Sequence, residues 1–187
     1  MIAGTARGNR LKGAPPGTRP LSDRVKQALF ASLEAEGALS GAFLDLFAGT
    51  GAAGIEALSR GAPSATFIER NDRATALIES NLRHAGLSGW SVVRADALRF
   101  LARGRPATQP PFAASVVDPP YDVSMLTPTL ELLGDPQHGW LAVDAVVVAK
   151  HFWRDTPAAQ IGGLILDRQR RFGETMLTFF RHTPQEA

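Results

Sequence analysis

The 187-residue sequence contains no cysteine, one tyrosine and three lysines, and its four histidines are scattered along the chain. The absence of cysteine excludes disulfides, thiolate metal sites and cysteine nucleophiles. The spacing of His84, His138, His151 and His182 does not match that of metal ligands. We therefore expect each histidine to be a surface or hydrogen-bonded residue, and we expect no metal site.

Long apolar runs are also missing. None approaches the ~20 residues that cross a bilayer, and residues 1–7 lack the apolar core of a signal peptide. We expect a cytoplasmic protein with no membrane partner. Because 44% of the residues are hydrophobic, a chain of this length can bury one sizeable core, so we expect one domain with a small appendage.

Acidic residues are scarce near the N-terminus, although the formal net charge of the whole chain is only +2. Residues 1–26 carry six basic side chains and a single acid, Asp23. Most basic residues of the chain are arginine, which makes forked contacts with phosphate and stacks on bases. The N-terminal segment is therefore predicted to contact RNA, and the alternative is a solvated basic tail. The candidate RNA-binding residues are Arg7, Arg10, Lys12, Arg19 and Arg24.

The apolar pattern alternates between strands and helices after residue 42, which predicts an α/β fold with parallel strands and crossover helices. Strands are predicted near 42–47, 64–69, 91–95, 112–117 and 143–149, and helices near 54–60, 71–85, 96–103 and 123–133. An earlier helix is predicted to begin after Ser22 and to end at Gly37. Residues 1–19 predict a short strand or hairpin and a loop, and residues 161–171 and 174–181 predict an antiparallel hairpin at the end of the sheet.

A glycine-rich turn, Gly49-Thr50-Gly51-Ala52-Ala53-Gly54, follows the first strand of this series. Its G-x-G-x-x-G spacing is typical of a nucleotide-type ligand loop. Glu69 ends the next strand, about twenty residues after the first glycine, where an acid that binds ribose is expected. The pattern fits either a dinucleotide or S-adenosyl-L-methionine (SAM).

Asp45, just before the loop, favours SAM. A carboxylate there would repel a pyrophosphate but attract the ammonium of a methionine moiety, whose carboxylate the helix N-terminus can receive. The alternative is that Asp45 caps the loop by accepting hydrogen bonds from backbone amides, with no ligand. Asp96 follows the third strand, where it is predicted to cap the next helix and, compatibly, to accept a hydrogen bond from an adenine amine.

The fourth strand leads directly into Asp118-Pro119-Pro120-Tyr121. Two prolines fix the turn and remove two amide donors, which leaves a carboxylate and carbonyls facing the same crevice as the glycine loop. Asp118 and the Pro119 carbonyl can each hold one N–H of an exocyclic amine, and Tyr121 offers a face for stacking of the base. The alternative is that the prolines only end a strand and Tyr121 belongs to the core.

The Asp-Pro-Pro-Tyr turn resembles the signature of methyltransferases that modify exocyclic nitrogens. Residues 18–30, TRPLSDRVKQALF, and residues 44–62, LDLFAGTGAAGIEALSRGA, more narrowly resemble the bacterial small-subunit ribosomal RNA methyltransferase D family. The resemblance runs from about residue 2 to residue 180 and ends in FGETMLTFF, residues 172–180. The family methylates N2 of guanine 966 in 16S rRNA.

The resemblance implies a Rossmann-like SAM-dependent methyltransferase sheet, mostly parallel with a C-terminal antiparallel hairpin. Residues 1–37 would form a basic N-terminal extension of a strand or hairpin and a helix, and residues 38–187 the methyltransferase domain. We expect a monomer that acts on the small ribosomal subunit or an assembly intermediate. The positions matched to the family place the methionine end of SAM at Asp45, Ala48, Gly49 and Gly51, its ribose at Glu69, its adenine near Asp96, and the target amine at Asp118 and Tyr121.

The sequence departs from the family at Leu21, where threonine is usual, and at Val148-Ala149-Lys150, where members often carry an acid. Neither departure is expected to touch the cofactor or amine motifs. Three other functions stay open: an adenine-N6 methyltransferase acting on DNA or RNA, a nicotinamide-dependent oxidoreductase that shares the glycine spacing, and an RNA-binding module without catalytic activity.

Overall fold

A computed structural model describes residues 1, 3–8, 11, 13, 22–120 and 123–183. Its elements in chain order are α1 (Asp23–Ala35), β1 (Phe43–Leu46), α2 (Ala52–Ser59), β2 (Ala65–Glu69), α3 (Asp72–His84), β3 (Trp90–Arg94), α4 (Ala97–Leu101), β4 (Phe112–Val117), α5 (Val123–Gly134), β5 (Leu141–Phe152), β6 (Gln160–Ile161), β7 (Leu164–Phe172) and β8 (Thr175–His182). Five residues singled out above lie outside the described residues: Arg10, Lys12, Arg19, Leu21 and Tyr121.

The strands form one eight-stranded sheet in the order β3-β2-β1-β4-β5-β8-β7-β6. Strands β1 to β5 run parallel, and β8 and β7 run antiparallel to their neighbours. The Rossmann-like α/β prediction is confirmed, and so is the C-terminal hairpin, although the two-residue β6 adds a further strand beyond it. We call the edge at which β1 to β5 end the carboxyl edge, and the opposite edge the amino edge.

Helices cover both faces of the sheet because successive strand residues point to opposite faces. Helices α1, α2 and α3 pack on one face, through residues such as Leu29, Ile55 and Ile78. Helices α4 and α5 pack on the other face, through residues such as Leu101 and Leu130. Helix α1 therefore shares the core of the sheet, and the division of the chain at residue 37 stays a prediction.

The first described residues form a turn rather than a strand, so the predicted N-terminal strand or hairpin is wrong for residues 3–8. Ser59, at the end of α2, satisfies the backbone groups that a strand would pair. Its carbonyl accepts from the Thr5 amide at 2.8 Å, and its Oγ accepts from the Ala6 amide at 3.0 Å and donates to the Ala3 carbonyl at 2.7 Å. Gly4 allows this contact, since a Cβ there would lie 1.7 Å from the Ser59 carbonyl oxygen.

No helix in the described part of the chain is both long enough and apolar enough to cross a membrane.

Candidate active site

The glycine loop joins β1 to α2 at the carboxyl edge. Gly49 and Gly51 both have a positive φ, +56° and +77°, which glycine adopts without the strain of a Cβ. The Gly51 amide donates to the Ala48 carbonyl at 2.7 Å, and the Gly51 carbonyl accepts the first helical bond, from Ile55, at 2.9 Å. A tight turn thus delivers the N-terminus of α2, with its positive end of the helix dipole, to this edge.

Gly54, the last glycine of the motif, lets α2 pack directly on β2. A Cβ at this position would lie 2.3 Å from Cε1 of Phe67, whose ring is fully buried. This close approach is the helix-to-strand packing that the third glycine of the spacing predicts. It also fixes where the Gly54 amide points.

Asp45 uses that amide. Its Oδ2 accepts from the Gly54 N–H at 2.8 Å, and only 2% of the residue is exposed. The pKa of Asp45 is raised from 3.8 to about 8, mainly by burial and in smaller part by the negative charges of Asp118 and Glu69, while the Gly54 hydrogen bond opposes the rise. The loop-capping role is therefore present, and the ammonium-binding role stays a prediction.

Glu69 links the loops that follow β1 and β2. Its Oε2 accepts from the Gly49 amide at 2.9 Å, and its Oε1 accepts from the Asn71 amide at 2.8 Å. The side chain is partly exposed at the carboxyl edge. Each carboxylate oxygen has a second lone pair, so these bonds leave acceptor capacity for ribose hydroxyls.

Asp96 lies at the N-terminus of α4, next to the end of β3. Its Oδ1 accepts from the Arg99 amide at 3.0 Å, so the prediction of an N-cap is confirmed. Its position beside the other loops of the carboxyl edge is compatible with the adenine contact, which stays a prediction.

Asp118 follows the last residue of β4, and its amide donates to the Leu46 carbonyl at 3.4 Å, which ties it to the end of β1. Its Oδ1 lies 2.6 Å from Nζ of Lys150, and the two side chains are 24% and 10% exposed. Burial raises the pKa of Asp118, and the charge and hydrogen bond of Lys150 lower it. Pro119 and Pro120 follow without amide donors, so the backbone of this turn offers carbonyl acceptors beside the Asp118 carboxylate.

The structure thus brings Asp45, Gly49, Glu69 and Asp118 together at one edge of the sheet. Ala48 joins them, with its amide bonded to the Ile68 carbonyl at 3.0 Å. In open α/β sheets, ligands bind at the carboxyl edge where the strand order reverses. Here the order reverses between β1 and β4.

Comparison with known proteins assigns the chain to a family. The family model described as "Conserved hypothetical protein 95" matches residues 1–181. The ribosomal RNA small subunit methyltransferase D of Escherichia coli is 38% identical over 148 residues, which cover 79% of this chain and 71% of that protein. This chain belongs to the ribosomal RNA small subunit methyltransferase D family. A further relative, YlbH of Bacillus subtilis, is provisionally named an rRNA methyltransferase and is 33% identical over 183 residues, 97% of each chain.

Solved structures agree with membership of the methyltransferase D family. The Escherichia coli protein yhhF, provisionally described as a methyltransferase, superposes with a TM-score of 0.85 at 32% identity, covering 98% of this chain and 97% of that one. A hypothetical protein of Thermus thermophilus superposes with a TM-score of 0.79 at 32% identity, covering 95% and 96%.

The departure from the methyltransferase D pattern at Lys150 does touch the amine motif, so the expectation that it would not is wrong. Strand β5 pairs with β4 in a register that sets Ala149 opposite Val117, which puts the next residues, Lys150 and Asp118, side by side. The predicted strand ended at residue 149, whereas β5 continues to Phe152. A pattern along the chain does not show this pair, because it depends on the order and register of β4 and β5.

The described candidate RNA-binding residues lie at opposite edges of the sheet. Arg7 is exposed in the N-terminal turn that docks on the end of α2, about 12 Å of helix away from the glycine loop. Arg24 is exposed on the first turn of α1, with its guanidinium 6.0 Å from the Phe172 ring centroid beside the turn between β7 and β8. Since Phe172 pairs with Thr175 and Thr175 pairs with the end of β5, Arg24 lies at the carboxyl edge.

Proposed function

We propose that this protein transfers a methyl group from SAM to the exocyclic N2 of a guanine in 16S rRNA, at position 966, in the small subunit or an assembly intermediate. The observation that carries the proposal is the acceptor-lined rim at Asp118, which lies beside the glycine loop at one edge of the sheet. The target base must leave its stack to reach this crevice, because a paired or stacked guanine hides its amine.

The residues at the loop fit SAM, which supplies a methyl group on a positively charged sulfur. Burial disfavours the charged form of Asp45, so an ammonium placed beside it would stabilise the carboxylate. The N-terminus of α2 suits the carboxylate of the same methionine moiety. Glu69 and Asp96 would hold the ribose and the adenine.

Asp118 is the group proposed to meet the target amine. Its carboxylate and the Pro119 carbonyl would each accept one N–H, which turns the nitrogen lone pair toward the incoming methyl group. Lys150 favours the charged carboxylate by lowering the pKa of Asp118, in a site where burial raises that pKa. Stacking of the base on Tyr121 is part of the same proposal.

The test is single-turnover methyl transfer to RNA-containing small-subunit particles at saturating SAM, with the modified nucleoside identified. Asp118→Ala should cut the rate by about 10²–10³-fold, as does removal of one positioned electrostatic contact elsewhere, while SAM affinity is kept. Asp118→Asn should be milder because its amide oxygen still accepts. Glu131→Ala, an exposed acid on α5, is the control. A rate for Asp118→Ala near that of the wild type would contradict the proposal.

The same turn suits adenine N6, so a DNA substrate is run in parallel. If the protein forms N6-methyladenine in DNA and no N2-methylguanine in the particles, its substrate is adenine in DNA rather than guanine in rRNA. Titration with NAD and SAM separately tests the oxidoreductase alternative, which predicts NAD binding.

A further inference from the structure

An arginine-rich aromatic group lies where β5 ends and the β7–β8 turn meets it. The Trp153 ring has the guanidinium of Arg171 at 4.0 Å and that of Arg154 at 4.8 Å from its centroid. The Trp153 amide donates to the Glu174 carbonyl at 3.0 Å, and Nε of Arg171 donates to the Gly173 carbonyl at 2.8 Å. The tryptophan and the arginine are therefore both anchored to the turn backbone.

Helix α1 extends the same group. Arg24, on its first turn, lies over the ring of Phe172, which packs against the core below it. Three separate elements thus present cations at one end of the sheet: α1, the segment after β5, and β7. We call this set, Arg24, Trp153, Arg154, Arg171 and Phe172, the hairpin surface.

The arginines of the hairpin surface are not used in ion pairs with the described acids, whereas five other arginines of the described chain are. Arg168 and Arg181 both bind Glu36, and Arg60 binds Glu34 and Glu56. In those ion pairs, acids of the same chain neutralise the positive charge of the arginines. An arginine stacked on a ring by its flat face keeps its N–H edge available for a phosphate.

The surroundings favour a polyanion as the partner. Within the described residues, the large exposed hydrophobic side chains are Val143 and Ile165, and neither belongs to the hairpin surface. Three acids lie nearby in the chain: Glu174 in the turn, Asp155 after Arg154, and Asp23 before Arg24. Lys26 pairs with Asp23 at 3.4 Å, so the remaining two acids leave the group with an excess of positive charge. An apolar protein partner would need a hydrophobic patch that this surface does not offer.

The hairpin surface continues from the proposed amine site. Lys150 pairs with Asp118, and Trp153 follows Lys150 by three residues, about 10 Å at the rise of a strand. A strand of RNA whose base enters the crevice at Asp118 would therefore have its neighbouring phosphates within reach of Arg154 and Arg171.

We infer that the hairpin surface binds the phosphodiester backbone of single-stranded RNA next to the target base. Arg24, Arg154 and Arg171 contact the phosphates, and Trp153 is a positioning residue that holds two of the guanidiniums in place. The inference rests on the proposed function and names the part of the molecule that holds its RNA substrate.

The first test compares two double variants with equal loss of charge. Arg154→Ala/Arg171→Ala removes cations from the hairpin surface. Arg83→Ala/Arg103→Ala removes the same formal charge near the amino edge, from Arg83 at the end of α3, which pairs with Glu79, and from exposed Arg103 just after α4. The probes are a labelled single-stranded RNA oligonucleotide and small-subunit particles. The first variant should lower RNA affinity about tenfold and reduce the slope of log affinity against log salt by about one unit or more. It should raise KM for particles with kcat and SAM affinity unchanged, and the control should keep wild-type values.

The second test separates positioning from charge. Trp153→Leu keeps every cation, so it should weaken RNA binding a few-fold with an unchanged salt slope, and Trp153→Phe should restore most of the affinity because a ring returns. Arg24→Ala, on a different element, should reduce the salt slope independently. Thermal melting accompanies each variant, and these single variants decide the matter if the double variant does not fold.

The outcomes distinguish this inference from the proposed function. If the wild type methylates the particles and Arg154→Ala/Arg171→Ala matches the control variant in KM and salt slope, the hairpin surface does not bind RNA. If the wild type methylates no RNA but the double variant still loses RNA affinity and salt slope, the proposed function fails and the RNA-binding surface stands.

Discussion

Asp45 faces opposite requirements with and without a ligand. Buried beside Glu69 and Asp118, its carboxyl group favours the protonated form, with a pKa of about 8. The proposed contact with the ammonium of SAM requires the charged form. The protonated form of Asp45 therefore stabilises the free protein, whereas the charged form is the one that would bind SAM.

Asp45→Asn should expose that conflict. The native state binds a proton at Asp45 between pH 4 and pH 8 that the unfolded chain has lost, so wild-type stability falls as pH rises through this window. The variant lacks this titration, and its amide oxygen still accepts from Gly54. By pH 8 it should be more stable than the wild type by on the order of 5 kcal/mol, with a much smaller difference at pH 4, as measured by urea unfolding. SAM affinity should fall by roughly ten- to a hundred-fold. Parallel stability curves across this range would mean that Asp45 is ionised in the folded protein.

Lys150→Met should act through Asp118. The lysine opposes the rise in the pKa of Asp118 that burial causes, so its removal should raise that pKa further. Transfer needs the carboxylate, and the acid limb of the single-turnover rate profile should therefore move to higher pH, with the rate recovering as pH increases. Lys150→Arg keeps the charge and should retain most of the wild-type profile. An unshifted profile for Lys150→Met would show that the ion pair does not govern the reaction.

Residues at strand ends were predictable from the sequence, and their partners across the sheet were not. Asp96 and Asp118 were placed correctly at the ends of β3 and β4 because each follows an apolar run. The bonds of Glu69 to two loop amides, and of Asp118 to Lys150, depend on which strands are neighbours. No local pattern encodes that, since the partners lie far apart in the chain.

At the scale of elements, the packing of α2 on β2 depends on the absence of a side chain at Gly54. Gly54→Ala would place a methyl group against the ring of Phe67 and should cost about 1–3 kcal/mol of stability. Phe67→Leu in the same chain makes room, so the double variant should be more stable than the sum of the single changes predicts. Urea unfolding of the four proteins measures the coupling. Strict additivity would mean that α2 moves instead of clashing.

Most elements were predicted within a few residues, because the apolar periods of the helices and strands agree with the final packing. Two exceptions have identifiable causes. Strand β5 begins at Leu141, before an irregular stretch in which Asp144 has a φ of +59° and the pairing with β4 shifts register. The predicted strand began at residue 143, so the prediction missed Leu141 and residue 142, which precede this irregular stretch. The N-terminal turn depends on Ser59, which no local signal near residue 5 reveals.

At the scale of the whole molecule, the candidate RNA contacts divide between two edges of the sheet. The hairpin surface, which includes Arg24, lies at the carboxyl edge, beside the proposed amine site. Arg7 lies at the amino edge, where residues 3–8 are held on the end of α2. An RNA substrate that uses both sets must therefore extend along the molecule, beyond the nucleotides next to the target base.

Replacement of Arg7, Arg10 and Lys12 together by alanine tests whether the substrate reaches that far. Each lost phosphate contact should lower the salt slope of RNA binding by about 0.7 units for a single strand, so the triple variant should lose up to about two units and bind RNA more weakly. SAM affinity should be unchanged because Arg7 is distant from the glycine loop. Combined with Arg154→Ala/Arg171→Ala, the losses in binding free energy should add, since Arg7 and the hairpin surface lie at opposite edges. A triple variant with the wild-type salt slope on small-subunit particles would show that the basic N-terminal segment is a solvated tail and that the carboxyl edge alone holds the RNA.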